Sequence, residues 1–246
     1  MAEVTVRRVD FGYFVRPPQE TGTGSPRVDP CLGYVVSHPE GMILFDSGLG
    51  SHPEVDAYYR PRRTGLPAAL AAIGVQIRDL KLAANCHLHF DHCGGNKHLV
   101  RATTYLHREE LREARTPEPF ERLGYADRGY DHADARFSLL EGDVELAKGL
   151  HLFHTPGHTV GHYSLLVELE DGRPLLFMAD VSYTPSAFAN EQQAGFHNNP
   201  VDGVRSIRRV ARLAKEWDAE IIYTHDMETF RGYALAPEPF TAGGAA

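Results

Sequence analysis

The chain has 246 residues, 42% of them hydrophobic, which is ample for a sizeable core. Thirty-three acidic against 25 basic residues leave a formal charge of −8, a balance that argues against binding nucleic-acid phosphates, because that takes clustered lysine and arginine. No run approaches a membrane span, the first residues lack an apolar core of signal-peptide length, and three cysteines, an odd number, argue against a disulfide framework; a reducing cytoplasm is the expected location.

In chain order, strands are predicted over residues 4–9, 31–37 and 42–46, with Pro39-Glu40-Gly41 as a turn. The intervening segment 13–31 is rich in Pro, Gly and Thr and is expected to be a flexible cover. A helix is predicted over 67–73, stopped by Gly74. Leu80-Lys81-Leu82-Ala83-Ala84-Asn85 reads as a short strand, and Gly94-Gly95-Asn96 as a turn into a helix. Residues 107–115 read as a charged surface helix. In the second half, strands are predicted at 150–153, 161–169 and 174–179, the last two joined by Glu170-Asp171-Gly172-Arg173. Residues 202–217 form an amphipathic helix, with Arg205, Arg208, Arg209 and Arg212 on its solvated face. A last strand runs from Ala219 towards His225, and residues from about 241 form a loose tail. No linker, charge block or low-complexity run divides the chain, so one domain over 1–246 is expected.

The chemistry is concentrated in Cys86-His87-Leu88-His89-Phe90-Asp91-His92-Cys93-Gly94-Gly95, just past a predicted strand. Imidazole nitrogens and a carboxylate suit a borderline divalent metal such as zinc. Four such ligands are too many for one open ion served by a single loop, so two metals are expected, with His87 and His89 on one and Asp91 and His92 on the other. Three further candidates stand just past three other strands: His158 in Thr155-Pro156-Gly157-His158, Asp180 after Leu175-Leu176-Phe177-Met178-Ala179, and His225 after Ile221-Ile222-Tyr223-Thr224. A carboxylate can bridge two cations, whereas an imidazole binds one. That assigns Asp180 as the bridge, His158 as the third histidine of the first site and His225 as the terminal ligand of the second. The remaining histidines, including His154 and His162 on either side of His158, have no place in the pattern; Pro156-Gly157 favours His158 because it makes a tight turn that can aim it. Cys86 and Cys93 flank the cluster, but the histidines and carboxylates complete two sites without them.

This ligand set resembles the dinuclear metal site of the metallo-β-lactamase superfamily, and the similarity runs from Leu44-Phe45-Asp46-Ser47-Gly48 to Thr224-His225. Within the superfamily the chain looks most like the N-acyl-homoserine lactonases, on the His87–Gly95 motif, on Asp180-Val181-Ser182-Tyr183 and on Ala194-Gly195-Phe196. The resemblance implies an α+β fold, a four-layer αβ/βα sandwich in which each of two sheets covers one face with helices and the other with its partner. It implies two divalent ions, zinc first, with cobalt, manganese or iron as alternatives, and Asp46 as a support behind the metal loop. It implies a lactone as substrate, opened by a hydroxide bridging the metals, with Tyr183 and one metal stabilising the oxyanion and Asp91 returning a proton to the ring alkoxide. Phe90, Ala194 and Gly195 would border the substrate; a homodimer is compatible with the resemblance, and no nucleic acid or membrane is called for.

Other readings differ at particular features. A glyoxalase-II-like thioesterase would need a helical C-terminal domain, for which too few residues follow His225. A β-lactamase would carry a cysteine where Asp180 stands. A mononuclear iron persulfide dioxygenase would use two histidines and one aspartate, and metal content with oxygen uptake separates it. A lactonase for an aromatic lactone, such as a pyridoxine breakdown product, shares the whole mechanism.

Overall fold

In a computed structural model that describes residues 4–170, 172–234 and 238–239, twelve strands form two mixed sheets. The first sheet takes β1 (Thr5–Arg16), β2 (Arg27–His38), β3 (Gly41–Phe45), β4 (Arg62–Arg63), β5 (Leu80–Ala84), β6 (Thr103–His107) and β7 (Phe137–Leu140), in the order β4-β1-β2-β3-β5-β6-β7. The second takes β8 (Val144–Ala147), β9 (Leu150–His154), β10 (Tyr163–Val167), β11 (Leu175–Phe177) and β12 (Glu220–Ile222), in the order β12-β11-β10-β9-β8. The helices are α1 (Pro18–Thr21), α2 (Pro53–Tyr59), α3 (Leu66–Ala72), α4 (Arg108–Arg115), α5 (Pro185–Ala189), α6 (Pro200–Glu216) and α7 (Met227–Gly232).

Alternation along the strands builds three apolar layers. Val6, Tyr34, Val36, Ile43 and Phe45 of the first sheet meet Leu152, Leu165, Val167, Leu175 and Phe177 of the second, so the sheets pack face to face. The opposite side chains of the first sheet, Val9, Val35 and Leu44, meet Val55 of α2 and Leu66 and Leu70 of α3. Leu166 and Leu176 on the outer face of the second sheet meet Ile207, Val210 and Leu213 of α6. This is the expected αβ/βα sandwich.

Five details depart from the sequence reading. Segment 13–31 is not a loop: Tyr13–Arg16 and Arg27–Pro30 continue the β1–β2 ladder beyond a bulge between Asp10 and Tyr13, and only the stretch around α1 connects them. Proline and glycine marked the bulge and the turn, but ladder pairing prevailed over local composition. The turn at Gly94-Gly95 leads only into a single 3-10 turn, Asn96–His98. Helix α4 is not wholly superficial, because it buries Glu110, Leu111 and Ala114. On α6, Arg205, Arg208 and Arg212 are exposed, whereas Arg209 donates to the His154 carbonyl and pairs with Asp143. Helix α3 ends one residue before the predicted stop, and Gly74 takes the left-handed φ of 72° expected of a terminator. The tail from about residue 241 and Asp171 of the predicted turn lie outside the described residues.

Candidate metal centre

The loop after β5, the turn after β9, the turn after β11 and the end of β12 meet at one edge of the two sheets. There the side chains predicted as ligands converge from four directions, and all of them are buried. They fall into two groups, His87, His89 and His158 in one and Asp91, His92, Asp180 and His225 in the other, with the donor atoms of each group within 4.8 Å of one another. Asp180 faces both: Oδ1 lies 3.3 Å from His92 Nε2 and 3.2 Å from His225 Nε2, and Oδ2 lies 3.4 Å from His158 Nε2. Asp91 Oδ2 stands 3.5 Å from His225 Nε2 and 3.6 Å from His92 Nε2. His89 Nδ1 is 3.0 Å from His158 Nε2.

This donor set fits divalent cations. The Nε2 atoms of His87, His92 and His225 and Oδ1 of Asp180 are buried without any hydrogen-bond partner, which is costly unless something else binds them. Burial holds His87 and His89 well below the usual histidine value and His158 at about 4, so all three are neutral bases at neutral pH. Burial opposes charge on Asp180 too, but His225 and His92 hold its carboxylate well below the ordinary range.

The outer partners aim these ligands. His225 Nδ1 is 2.9 Å from the Pro30 carbonyl and His158 Nδ1 is 2.6 Å from that of Phe196, which leaves each Nε2 pointing inward. Asp46 behaves as the Asp-x-Gly motif implied: Oδ1 accepts the Cys86 N–H at 2.9 Å and Oδ2 lies 2.9 Å from His92 Nδ1. Asp46 does this from a left-handed φ of 61°, a conformation aspartate tolerates better than most residues. Cys86 Sγ sits behind the cluster, 3.0 Å from Asp46 Oδ2 and 3.0 Å from His87 Nδ1, where burial raises its thiol well above the usual range; with His87 and His92 it makes a third, overlapping group of donors. Gly157 holds the His158 turn at φ 136°, where a Cβ would stand 2.3 Å from Gly203 of α6.

Three supports were missed by sequence reasoning. His162 Nε2 accepts the Asp180 N–H at 3.1 Å while its Nδ1 meets Thr155 Oγ1 at 2.9 Å; the repeated Gly-His of Gly157-His158 and Gly161-His162 was the available signal. Glu110, fully buried, accepts the Leu88 N–H at 2.9 Å, the Gly161 N–H at 3.1 Å and the Tyr125 hydroxyl at 3.0 Å, tying the His87–His92 loop to the His158 turn. Arg16 lies over the ring of Tyr183, its guanidinium carbon 4.0 Å from the ring centroid. Nothing local marked Glu110 or Arg16.

Tyr183 stands edge-on to the His225 ring at 5.3 Å and to the His158 ring at 6.4 Å. Its hydroxyl makes no hydrogen bond among the described residues, and burial raises its pKa well above the phenol value, so it is a proton donor in hydrogen bonding at neutral pH. Next to it opens a cavity of about 460 Å³ bordered by Tyr183, Gly195, Arg27, Val28 and Met227. Ala194 lines a narrow cleft with His158 and Asp180. Gly195 packs against α1 so closely that a Cβ would lie 2.0 Å from the Glu20 carbonyl oxygen. Phe90 lies inside an aromatic cluster, stacked on Tyr59 at 5.0 Å and edge-on to Phe14 at 5.7 Å, and it is 4% exposed.

The family model of the metallo-beta-lactamase superfamily matches residues 26–225. The chain belongs to that superfamily. Among its relatives, N-acyl homoserine lactonase AttM of Azorhizobium caulinodans is 29% identical over 234 residues, covering 88% of this chain and 89% of the relative. N-acyl homoserine lactonase AiiA of Bacillus thuringiensis subsp. kurstaki is 31% identical over 236 residues, covering 85% and 86%. A crystal structure of a B. thuringiensis AiiA mutant with N-decanoyl-L-homoserine at its active site superposes with a TM-score of 0.85 at 25% identity, over 97% of this chain and 100% of that one. A structure of an N-acyl homoserine lactone hydrolase with the product N-hexanoyl-L-homoserine at its catalytic metal centre has the same score, identity and coverage. No helix among the described residues is long and apolar enough to cross a membrane.

Proposed function

We propose that this protein hydrolyses the ring ester of N-acyl-homoserine lactones, using two divalent metals, zinc first, held by His87, His89 and His158 on one side and Asp91, His92 and His225 on the other, with Asp180 shared. The observation that carries the reading is the position of Asp180, whose two oxygens face the two ligand groups separately. The lactonases among the relatives, and the acyl-homoserine products in the similar structures, support the substrate class.

When bound, the metals supply Lewis acidity, lowering the pKa of a water towards neutrality and polarising the ester carbonyl. The remaining work falls to the chain's own groups. Tyr183 donates its free hydroxyl to the carbonyl oxygen as that oxygen gains charge, an interaction stronger in the transition state than in the ground state. Asp91, buried beside His92 and His225, is placed to take a proton from the attacking water and return it to the ring oxygen as the C–O bond breaks. The cavity beside Tyr183 is of a size to take the acyl substituent, with Gly195 on its wall. The side-chain amide stays intact, because its leaving amine would have to be protonated as the bond breaks and Asp91 serves the ring oxygen. The free, buried cysteines Cys31, Cys86 and Cys93 support a reducing, cytoplasmic home.

The test is product analysis on metal-loaded protein. The expected product is the acyl-homoserine, one water heavier than its substrate and partly re-closed by acid. Free homoserine lactone with a fatty acid would overturn ring opening. Turnover of an aromatic lactone alone would move the substrate class and leave the dinuclear site standing.

A further inference from the structure

Tyr183 lies on an irregular stretch between the turn at Asp180 and α5, so no ladder or helix fixes its ring. What does fix it comes from the other sheet. The Arg16 guanidinium, at the end of β1, lies 4.0 Å from the Tyr183 ring centroid and is 3% exposed. Its Nε donates to Asp29 Oδ2 at 2.5 Å and its Nη1 to Glu20 Oε2 at 3.2 Å. Asp29, fully buried, also accepts Arg27 Nε at 2.5 Å and Nη2 at 3.0 Å, and that second guanidinium lies 5.5 Å from the same ring. Glu20 in turn accepts the Tyr59 hydroxyl at 3.2 Å.

A buried ion network of this kind is poor evidence of a stabilising role, since apolar side chains of similar volume commonly do as well. It does specify geometry. A guanidinium is planar, stacks on aromatic faces and offers donors in a rigid fork, so a pair of carboxylates can hold it in one plane. The ring also stands steeply to the His225 and His158 imidazoles, at 79° with centroids 5.3 Å apart and at 75° with centroids 6.4 Å apart. Were the cation absent, the side chain could swing about its Cα–Cβ bond, and its hydroxyl would keep one direction for less of the time.

We propose that Arg16 is a positioning residue for Tyr183: clamped by Asp29 and Glu20, it fixes the direction of the Tyr183 hydroxyl over the paired ligand groups. This rests on the reading of Tyr183 as a donor to the developing oxyanion. It also gives the β1–β2 hairpin a part in the reaction.

The experiment is a kinetic cycle of wild type, Arg16→Met, Tyr183→Phe and the double variant, each at matched metal content, on N-hexanoyl-homoserine lactone. Tyr183→Phe is expected to lower kcat at least roughly tenfold. Arg16→Met should lower kcat by about five- to twentyfold with KM nearly unchanged, because the hydroxyl acts on the transition state. In the Tyr183→Phe background the same change should cost less than about twofold, because its target is gone. Should Arg16→Met leave Glu20 and Asp29 too poorly compensated to fold, Arg16→Lys, which keeps the charge and loses the planar fork, carries the same cycle. Multiplying losses, or a raised KM at constant kcat, would overturn the role of Arg16 while the role of Tyr183 survives. A silent Tyr183→Phe would overturn both.

Discussion

The two halves of the ligand cluster are built on opposite principles. His87, His89 and His158 are imidazoles that burial keeps neutral, and they lie together without a strong electrostatic penalty. Asp91, His92, Asp180 and His225 put two carboxylates in one dry pocket. There burial pushes the His92 pKa down, but the neighbouring carboxylates of Asp91, Asp180 and Asp46 work against it, and His92 is held well above its usual value. The scaffolding differs in the same sense. Each group has one ring aimed by a backbone carbonyl, Phe196 for His158 and Pro30 for His225; beyond that, the first is held by Glu110 acting through backbone N–H groups, the second by the Asp46 carboxylate bonded directly to a ligand ring. A neutral donor set depends on geometry to select its cation; a charged set has Coulomb attraction as well and depends on geometry to keep its carboxylates apart when the cation leaves.

Changing the one residue common to both halves should have the largest effect. On the proposed dinuclear reading, Asp180→Asn replaces a bridging carboxylate by an amide that offers one oxygen, so binding of both metals should be weakened. Turnover should fall by more than the roughly hundredfold that loss of an outer partner brings. Elemental analysis after gel filtration is the check, and retention of both metals would mean that the two halves are independent. His225→Ala is the asymmetric version. It removes a ligand of the charged half only, and the expected metal content is close to one per chain, with the neutral half still loaded. Equal loss of both ions would erase the distinction.

How much of this was legible in the sequence depended on whether the signal was local. The ligand loop from His87 to His92 could be read because its ligands lie within a few residues past one strand, and Asp180 and His225 because each closes an apolar run. The same reasoning misread residues 13–31, where the pairing of Tyr13 with Pro30 and Phe14 with Asp29 overrides the local turn composition. That error hid Arg16 and Asp29, whose meeting follows from strand register. Glu110 was hidden differently. On α4 it sits among Arg108, Glu109, Arg112 and Arg115 and looks like one more solvated charge, yet it points inward and is fully buried. Helical periodicity says which face is apolar, and a single buried carboxylate on that face is set by what the sheet edge presents to it.

Smaller effects are expected from the supports, and they sharpen the comparison further. Asp46→Asn keeps a side chain suited to the left-handed backbone at φ 61° but loses the charge behind His92. The charged half should bind its metal about ten- to a hundredfold more weakly, read by competition with a chelator, while the neutral half is unchanged. Weakening of both halves alike would give Asp46 the whole loop to support through its bond to the Cys86 N–H.

Glu110→Gln is the mirror experiment and the subtlest. The Glu110 carboxylate presents acceptors only: Oε1 takes the Leu88 N–H and the Tyr125 hydroxyl, and Oε2 takes the Gly161 N–H. Glutamine has nearly the same shape, but its NH₂ must face one of these sets. The Tyr125 hydroxyl can reverse and accept; a backbone N–H cannot. The variant therefore keeps one loop attached and turns a donor on the other, at either Leu88 or Gly161. A hydrogen bond to a charged group is worth about 1.5–3 kcal/mol, so the neutral half should lose roughly tenfold or more in metal affinity. Because His158 follows the tied turn directly, whereas Asp91 and His92 only share the Leu88 loop and His225 and Asp180 lie on other segments, the charged half should be weakened less. Cobalt substitution followed by stepwise chelation would resolve the two sites. Equal weakening of both would mean that Glu110 supports the fold in general, and an unchanged first site would mean that the His158 turn holds its own position through Gly157 and the Phe196 carbonyl.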